Sequence, residues 1–224
     1  MPDEHMGSVE TWHHAEAQLK ASLEHAAMAY TVNEKDGAFY GPKIDFDVTD
    51  AIGRKWQCAT IQLDYMQPEN FDLKYIGADN TEHRPVVIHR AIFGSFERFI
   101  AILIEHYAGA FPLWLAPVQA TVLPIADRHL DYGQSVRDAL KAAGLRVVLD
   151  ERQEKIGYKI REAQLQKIPY MLVVGDREAA KGTVSVRTRT GGDQGASTIA
   201  AFVESAQREI ADKGTQQDLV GDAH

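Results

Sequence analysis

Apolar residues recur along this chain at helical spacing in some stretches and at alternate positions in others. From Ser8 or Glu10 to about residue 25, Trp12, Ala15, Leu19, Leu23 and Ala26 or Ala27 fall on one face, which predicts a helix with His13, His14 and His25 mostly outward. Asp36-Gly37 signals a turn, and beyond it Ile44, Phe46 and Val48 alternate with Lys43, Asp45 and Asp47, a strand with one apolar and one polar face. Gly53 turns the chain into a second strand over residues 55–63. Strict alternation there puts Thr60 and Gln62 on one face and Gln57 on the other, so all three share a face only where a bulge or strand end intervenes. A short strand is expected at 73–76, a turn at Asp79-Asn80, and a β-branched run at 86–88 with His89 at its end. Phe96, Phe99, Ile100, Leu103 and Tyr107 then follow at helical spacing. Arg98 lies roughly 200° round from Phe96, at about 100° per residue, and so points away from that stripe.

The pattern changes at Ala116-Pro117, where a domain boundary is expected. Strands at 119–126, 146–149, 170–174 and 184–189 alternate with helices at 130–143, from about 154 to before Pro169, and at 199–210. Such alternation implies right-handed crossovers. The expected fold is α/β: an antiparallel sheet backed by helices over residues 1–116, then an α/β domain with a largely parallel mixed sheet over 117–213. The last residues, 214–224, carry too few apolar positions to pack and are expected to be frayed.

Composition narrows the classes. With 224 residues, 45% of them hydrophobic, the chain can bury one sizeable core or two smaller ones, and two domains are expected. A formal net charge of −8 argues against a protein that coats nucleic acid. Between Arg152 and Arg189, however, nine Lys or Arg stand against four Asp or Glu, a local +5 that leaves −13 elsewhere. Either a localised polyanion site or an ordinary solvated surface fits that imbalance. Cys58 is the only cysteine, so no internal disulfide is possible; a reducing cytosol suits it, as a small core residue. The first residues show no basic start followed by an apolar run, and no stretch approaches the ~20 apolar residues of a membrane span, so a soluble, untargeted protein is expected. No Gly-rich phosphate loop supports a kinase-like reading. Lys43 and Asp45 share a polar face across which a charged substrate can lie, or they form a solvent-facing charge pair.

Four strings carry a resemblance: HRAIFGSFERF with IEHYAGAFPLWLAPVQ in 89–119, GAFYGPKIDF at 37–46, WQCATIQLD at 56–64 and EKIGYKIREAQLQKIPYMLVVGD at 154–176. They are similar to threonyl-tRNA synthetases, class IIa aminoacyl-tRNA synthetases, over almost the whole chain. The resemblance implies that Arg98, the arginine of the third signature motif, clamps the terminal phosphates of ATP, with Ser95 beside it. It places Tyr40 and Lys43 in the amino-acid and adenylate pocket, and assigns Gln57, Thr60 and Gln62 to the same substrates. His89 matches one of three protein ligands to a zinc ion that discriminates threonine, while magnesium comes with ATP. The other two zinc ligands and the first two signature motifs are missing, and the first of those motifs builds the family's homodimer interface. In the second domain the resemblance brings Gln153, Lys155, Arg161, Glu178 and Arg187 to the anticodon of threonine tRNA, with Lys167 as a further phosphate partner. The implied function is a cytoplasmic threonine–tRNA ligase, here truncated and inactive alone. The alternative is a free-standing anticodon-binding module without ligase activity.

Overall fold

A computed structural model describes residues 1–213; the expectation for 214–224 falls outside them. Contacts divide the chain into two compact units, Met1–Ala101 and Ile102–His224. Sequence places the change at Ala116-Pro117. The stretch between joins the second unit because its carbonyls are clamped there: Arg189 donates to the oxygens of Ala110 and Phe111, and Arg146 to those of Trp114 and Ala116.

In the first unit, α1 (Val9–His25) begins where Ser8 accepts the Thr11 N–H, and it buries Trp12, Ala15 and Leu19. Strands β1 (Lys43–Thr49), β2 (Lys55–Asp64) and β5 (Val87–Ala91) form an antiparallel sheet in the order β1-β2-β5. Ala15 and Leu19 pack on Leu63, Ile44 and Tyr65, so the apolar face of the alternating strands meets α1 and the polar face is left open. Between β2 and β5 lie α2 (Met66–Asn70) and a small hairpin of β3 (Tyr75–Ile76) and β4 (Glu82–His83), shorter than the strand expected at 73–76. His89 is not at a strand end: its ladder with β2 runs from Asp64↔Val87 to Thr60↔Ala91, which puts it mid-strand.

Helix α3 (Phe96–His106) forms as expected, yet it buries no residue, and Phe96 is 81% exposed. The apolar stripe is expected to face a core; it is only half covered, with Phe99, Leu103 and Tyr107 partly buried and Phe99 stacked on Phe93 at 4.5 Å between ring centroids.

The second unit is built on a five-stranded sheet in the order β10-β9-β8-β6-β7. β6 (Ala120–Pro124), β7 (Val147–Leu149) and β8 (Tyr170–Val174) are parallel, while β9 (Thr183–Thr188) and β10 (Gly192–Thr198) add antiparallel pairs. Helices α4 (Leu130–Ala142), α5 (Ile156–Leu165), α6 (Asp176–Lys181) and α7 (Ile199–Ala211) complete it. Val136, Leu140, Leu172, Val174 and Phe202 belong to the main core, and Ala163, Ile168 and Met171 to the layer under α5. Helix α5 stops at Leu165 because Lys167 adopts φ +58, before Pro169 is reached. No helix among the described residues is long and apolar enough to cross a membrane.

Candidate functional site

The polar face of the first sheet collects most of the residues singled out in the sequence. Cα partners in the antiparallel ladder share a face, and the pairs Lys43↔Gln62, Asp45↔Thr60 and Gln62↔His89 therefore bring these side chains together. Between Phe46↔Ala59 and Asp47↔Gln57 the register shifts, leaving Cys58 as the extra residue of a β-bulge. That one residue returns Gln57 to the face of Thr60 and Gln62, which alternation alone forbids. Cys58 is accordingly half-buried at the bulge rather than a core residue.

Hydrogen bonds interlock the face. Tyr40 Oη donates to Gln62 Oε1 at 2.5 Å, and its ring lies 5.5 Å from that of His89. Lys43 Nζ stands 2.7 Å from Asp45 Oδ2 and 3.6 Å from Asp36. Thr60 Oγ1 donates to Asp45 Oδ1 at 2.7 Å. Burial disfavours the charge on Asp45, but hydrogen bonds from Lys43, Thr60 and Gln57 outweigh it and hold the carboxyl below its usual range. Burial likewise works against the Lys43 ammonium, and the bonds to Asp45 more than offset it, so Lys43 is raised. Sequence sets Asp45 beside Lys43 on the polar face; its bonds to Thr60 and Gln57, which come from the neighbouring strand, carry no signal in the sequence.

His89 Nε2 shares a hydrogen at 2.8 Å with Asp64, which is fully buried and also accepts the N–H groups of Met66 and Gln67 at 2.9 Å each. A carboxylate fixing one ring nitrogen is how a metal-binding imidazole is oriented. Among the described residues, though, no group of three His, Cys, Asp or Glu side chains is placed to hold a metal ion. The described residues alone do not fit a zinc ion; one would need further donors.

Arg98 is exposed, and its guanidinium stands over the Trp56 ring at 5.5 Å from the centroid. Trp56 adjoins Gln57 in β2, so Arg98 is linked to the polar face through that strand rather than by a direct bond. Ser95 Oγ accepts the Arg98 N–H at 3.2 Å, capping α3. Gly94, at φ +71, lets the loop close on β2: a Cβ there would lie 3.4 Å from the Cys58 carbonyl oxygen.

In the second unit the bonds of Gln153, Glu178 and Arg187 go to residues other than the five anticodon candidates. Gln153 donates to Asp127 at 2.8 Å, and Glu178 accepts the Gly175 N–H at 3.0 Å, both at the carboxyl ends of the parallel strands. Arg187 pairs with Asp193 at 3.4 Å. Lys155 and Arg161 are exposed and have no ion pair among the described residues. Nearby, Arg128 and then His129 hydrogen-bond Asp176 and hold its carboxyl far below the usual range. Lys167 is not placed as expected: its Nζ meets the Ala108 carbonyl oxygen within the fold. Of the nine basic residues counted from Arg152 to Arg189, Arg152, Lys159, Lys167, Arg187 and Arg189 all have internal partners. Lys155, Arg161, Arg177 and Lys181 are left as the available cations.

Residues 6–107 match the model of the tRNA synthetase class II core domain (G, H, P, S and T), and residues 119–209 that of the anticodon binding domain. A threonine–tRNA ligase of Natranaerobius thermophilus is 59% identical over 211 residues, which are 94% of this chain and 33% of the relative. One from Symbiobacterium thermophilum is 60% identical over 216 residues, 96% of this chain and 33% of the relative. The solved RNA binding domain of threonyl-tRNA synthetase from Cryptosporidium parvum Iowa II matches with TM-score 0.85 and 41% identity, over 93% of this chain and 53% of that one. The chain thus spans about a third of the length of the curated relatives it matches. A class II core stretch is thus followed by an anticodon-binding domain, and over 94% of its length the chain is similar to a third of a threonine–tRNA ligase.

Proposed function

We propose that this chain is part of a threonine–tRNA ligase, the activity for which its relatives are named, and that it supplies one wall of the threonine-activating site together with an anticodon-reading domain. The observation that carries the first half is the single polar face on which Tyr40, Lys43, Gln57, Thr60, Gln62 and His89 emerge, Gln57 by way of the bulge. Activation is in-line attack of the threonine carboxylate on the α-phosphorus of ATP, with pyrophosphate leaving. Such a step is driven by positioning and charge stabilisation, not by a protein nucleophile. Lys43 faces the negative charge at the reacting end. Tyr40, Gln57, Thr60 and Gln62 hold the amino acid and adenylate by directed hydrogen bonds, and Arg98 meets the terminal phosphates that magnesium accompanies. Ser95 caps a helix and takes no covalent part.

The second half rests on the four available cations and on the polar groups at the carboxyl ends of β6, β7 and β8, which suit a single-stranded loop of threonine tRNA. It is tested by binding of the purified chain to threonine tRNA and to the same tRNA with its anticodon replaced, across a salt series. Preference for the authentic anticodon that survives at higher salt is expected. With four cations, the slope of log affinity against log salt should be about −3, against about −6 for all nine. Equal, steeply salt-dependent binding of both tRNAs would reduce this domain to a basic patch.

A further inference from the structure

We infer that Asp45 is a positioning residue of the substrate wall: one carboxylate sets the conformations in which Lys43, Gln57 and Thr60 meet a ligand. The inference rests on the reading of that wall as a threonyl-adenylate site. Asp45 sits two residues from Lys43 on the same strand and directly across from Thr60, so both neighbours reach it without distortion. Its two oxygens divide the work, Oδ2 taking Lys43 Nζ and Oδ1 the Thr60 hydroxyl, each at 2.7 Å, and Gln57 also hydrogen-bonds the carboxylate.

A lysine–carboxylate pair on an exposed strand is worth little. Here the two side chains are only 19% and 22% exposed, and the carboxylate orients a hydroxyl and an amide as well. In-line activation supplies its nucleophile from the substrate, which leaves Asp45 no covalent or proton-transfer task. Its effect is passed on through the donors it holds. Without its charge, Lys43 has a competing anion in Asp36, 3.6 Å away in the preceding loop, and swings toward it. The same face also presents Asp47 from β1, Gln62 and Asp64 from β2, His89 from β5 and Tyr40 from the loop.

The test uses the full chain and a sulfamate analogue of threonyl-adenylate, with affinities by calorimetry and titration of the Lys43 ammonium by NMR. Wild type is compared with Asp45→Asn, Asp45→Glu, Lys43→Met, Thr60→Val and the Asp45→Asn/Lys43→Met double variant. Asp45→Asn should weaken binding about tenfold or more, and Asp45→Glu should recover it to within about threefold. Thr60→Val, which removes one of the three partners, should cost less. The double variant should lose clearly less than the two single losses combined, the mark of a residue acting through another. In wild type Lys43 should titrate above the other lysines, and Asp45→Asn should remove that difference. Wild-type affinity in Asp45→Asn, additive losses, or an unmoved Lys43 titration would each overturn the inference. If no variant and no wild type binds the analogue while the Lys43 titration still falls in Asp45→Asn, the substrate reading fails and the hold of Asp45 on Lys43 stands.

Discussion

Trp56 carries two guanidinium groups, Arg54 at 5.1 Å and Arg98 at 5.5 Å from its ring, and is itself tied down by Asp50. The indole N–H donates to Asp50 Oδ2 at 2.9 Å, and the Arg54 Nε–H to the same oxygen at 2.6 Å. Led by the Trp56 bond, and joined by Arg54 and the N–H groups of Arg54 and Ile52, these contacts bring the Asp50 carboxyl down to about 2 against partial burial. A depressed folded-state pKa contributes stability above the unfolded value, near pH 4, and loses it as pH falls through about 2. Asp50→Asn should therefore lower the melting temperature at pH 7, and the gap from wild type should close between about pH 4 and 2. A gap that stays constant over that range would show that Asp50 acts by shape alone. At this scale the sequence was legible where side chains follow alternation. Lys43, Thr60 and Gln62 share a face as their spacing says. The place of Gln57 was not readable, because the bulge at Cys58 has no residue-type signature. The fate of Lys167 was hidden for a different reason, since its partner is a backbone carbonyl distant in sequence.

Elements formed where local pattern and tertiary demand agree. The alternation in β1, the apolar runs of β6 and β8, and the spacing in α4 and α7 all produced elements within a few residues of expectation. β10 escaped notice because GDQGAST has no apolar alternation and holds Gly195 at φ +90; it exists through pairing with β9, with a bulge at Gln194. Helix α3 shows the opposite failure, a strong apolar stripe in which no residue is fully buried. The Tyr40 loop owes its course to a close approach that only one residue type permits. A Cβ on Gly41 would lie 1.8 Å from the Leu63 carbonyl oxygen, so the loop backbone rests directly on β2. Gly41→Ala must push the loop off the strand, at a cost of about 2 kcal/mol by the usual scale of overpacking. Chemical denaturation should show that loss, and the Tyr40–Gln62 bond should be broken with it. An unchanged midpoint would mean the loop relaxes freely and does not set the position of Tyr40.

Across the whole chain, burial is divided very unequally between the two units. Beneath α1 the buried cluster is Ala15, Leu19 and Leu63, whereas the second unit buries a continuous layer from Leu113 to Ala206 and a further one under α5. The first unit meanwhile exposes Phe71 at 71%, Ile88 at 61% and Phe96 at 81%, large apolar side chains in helices, loops and an edge strand alike. Strand β5 adds an edge to that surface, since β2 is its one neighbour in the sheet among the described residues. Apolar surface and free strand edges drive association whenever copies meet, and a small core offers little resistance to the local opening that exposes more. Light scattering on the purified chain should therefore show species larger than a monomer, growing with concentration. Hydrogen exchange should protect amides of β6 and β8 far longer than those of β1 and β5. A monodisperse monomer at high concentration, with equal protection in the two units, would mean that the small core of the first unit is sufficient as it stands.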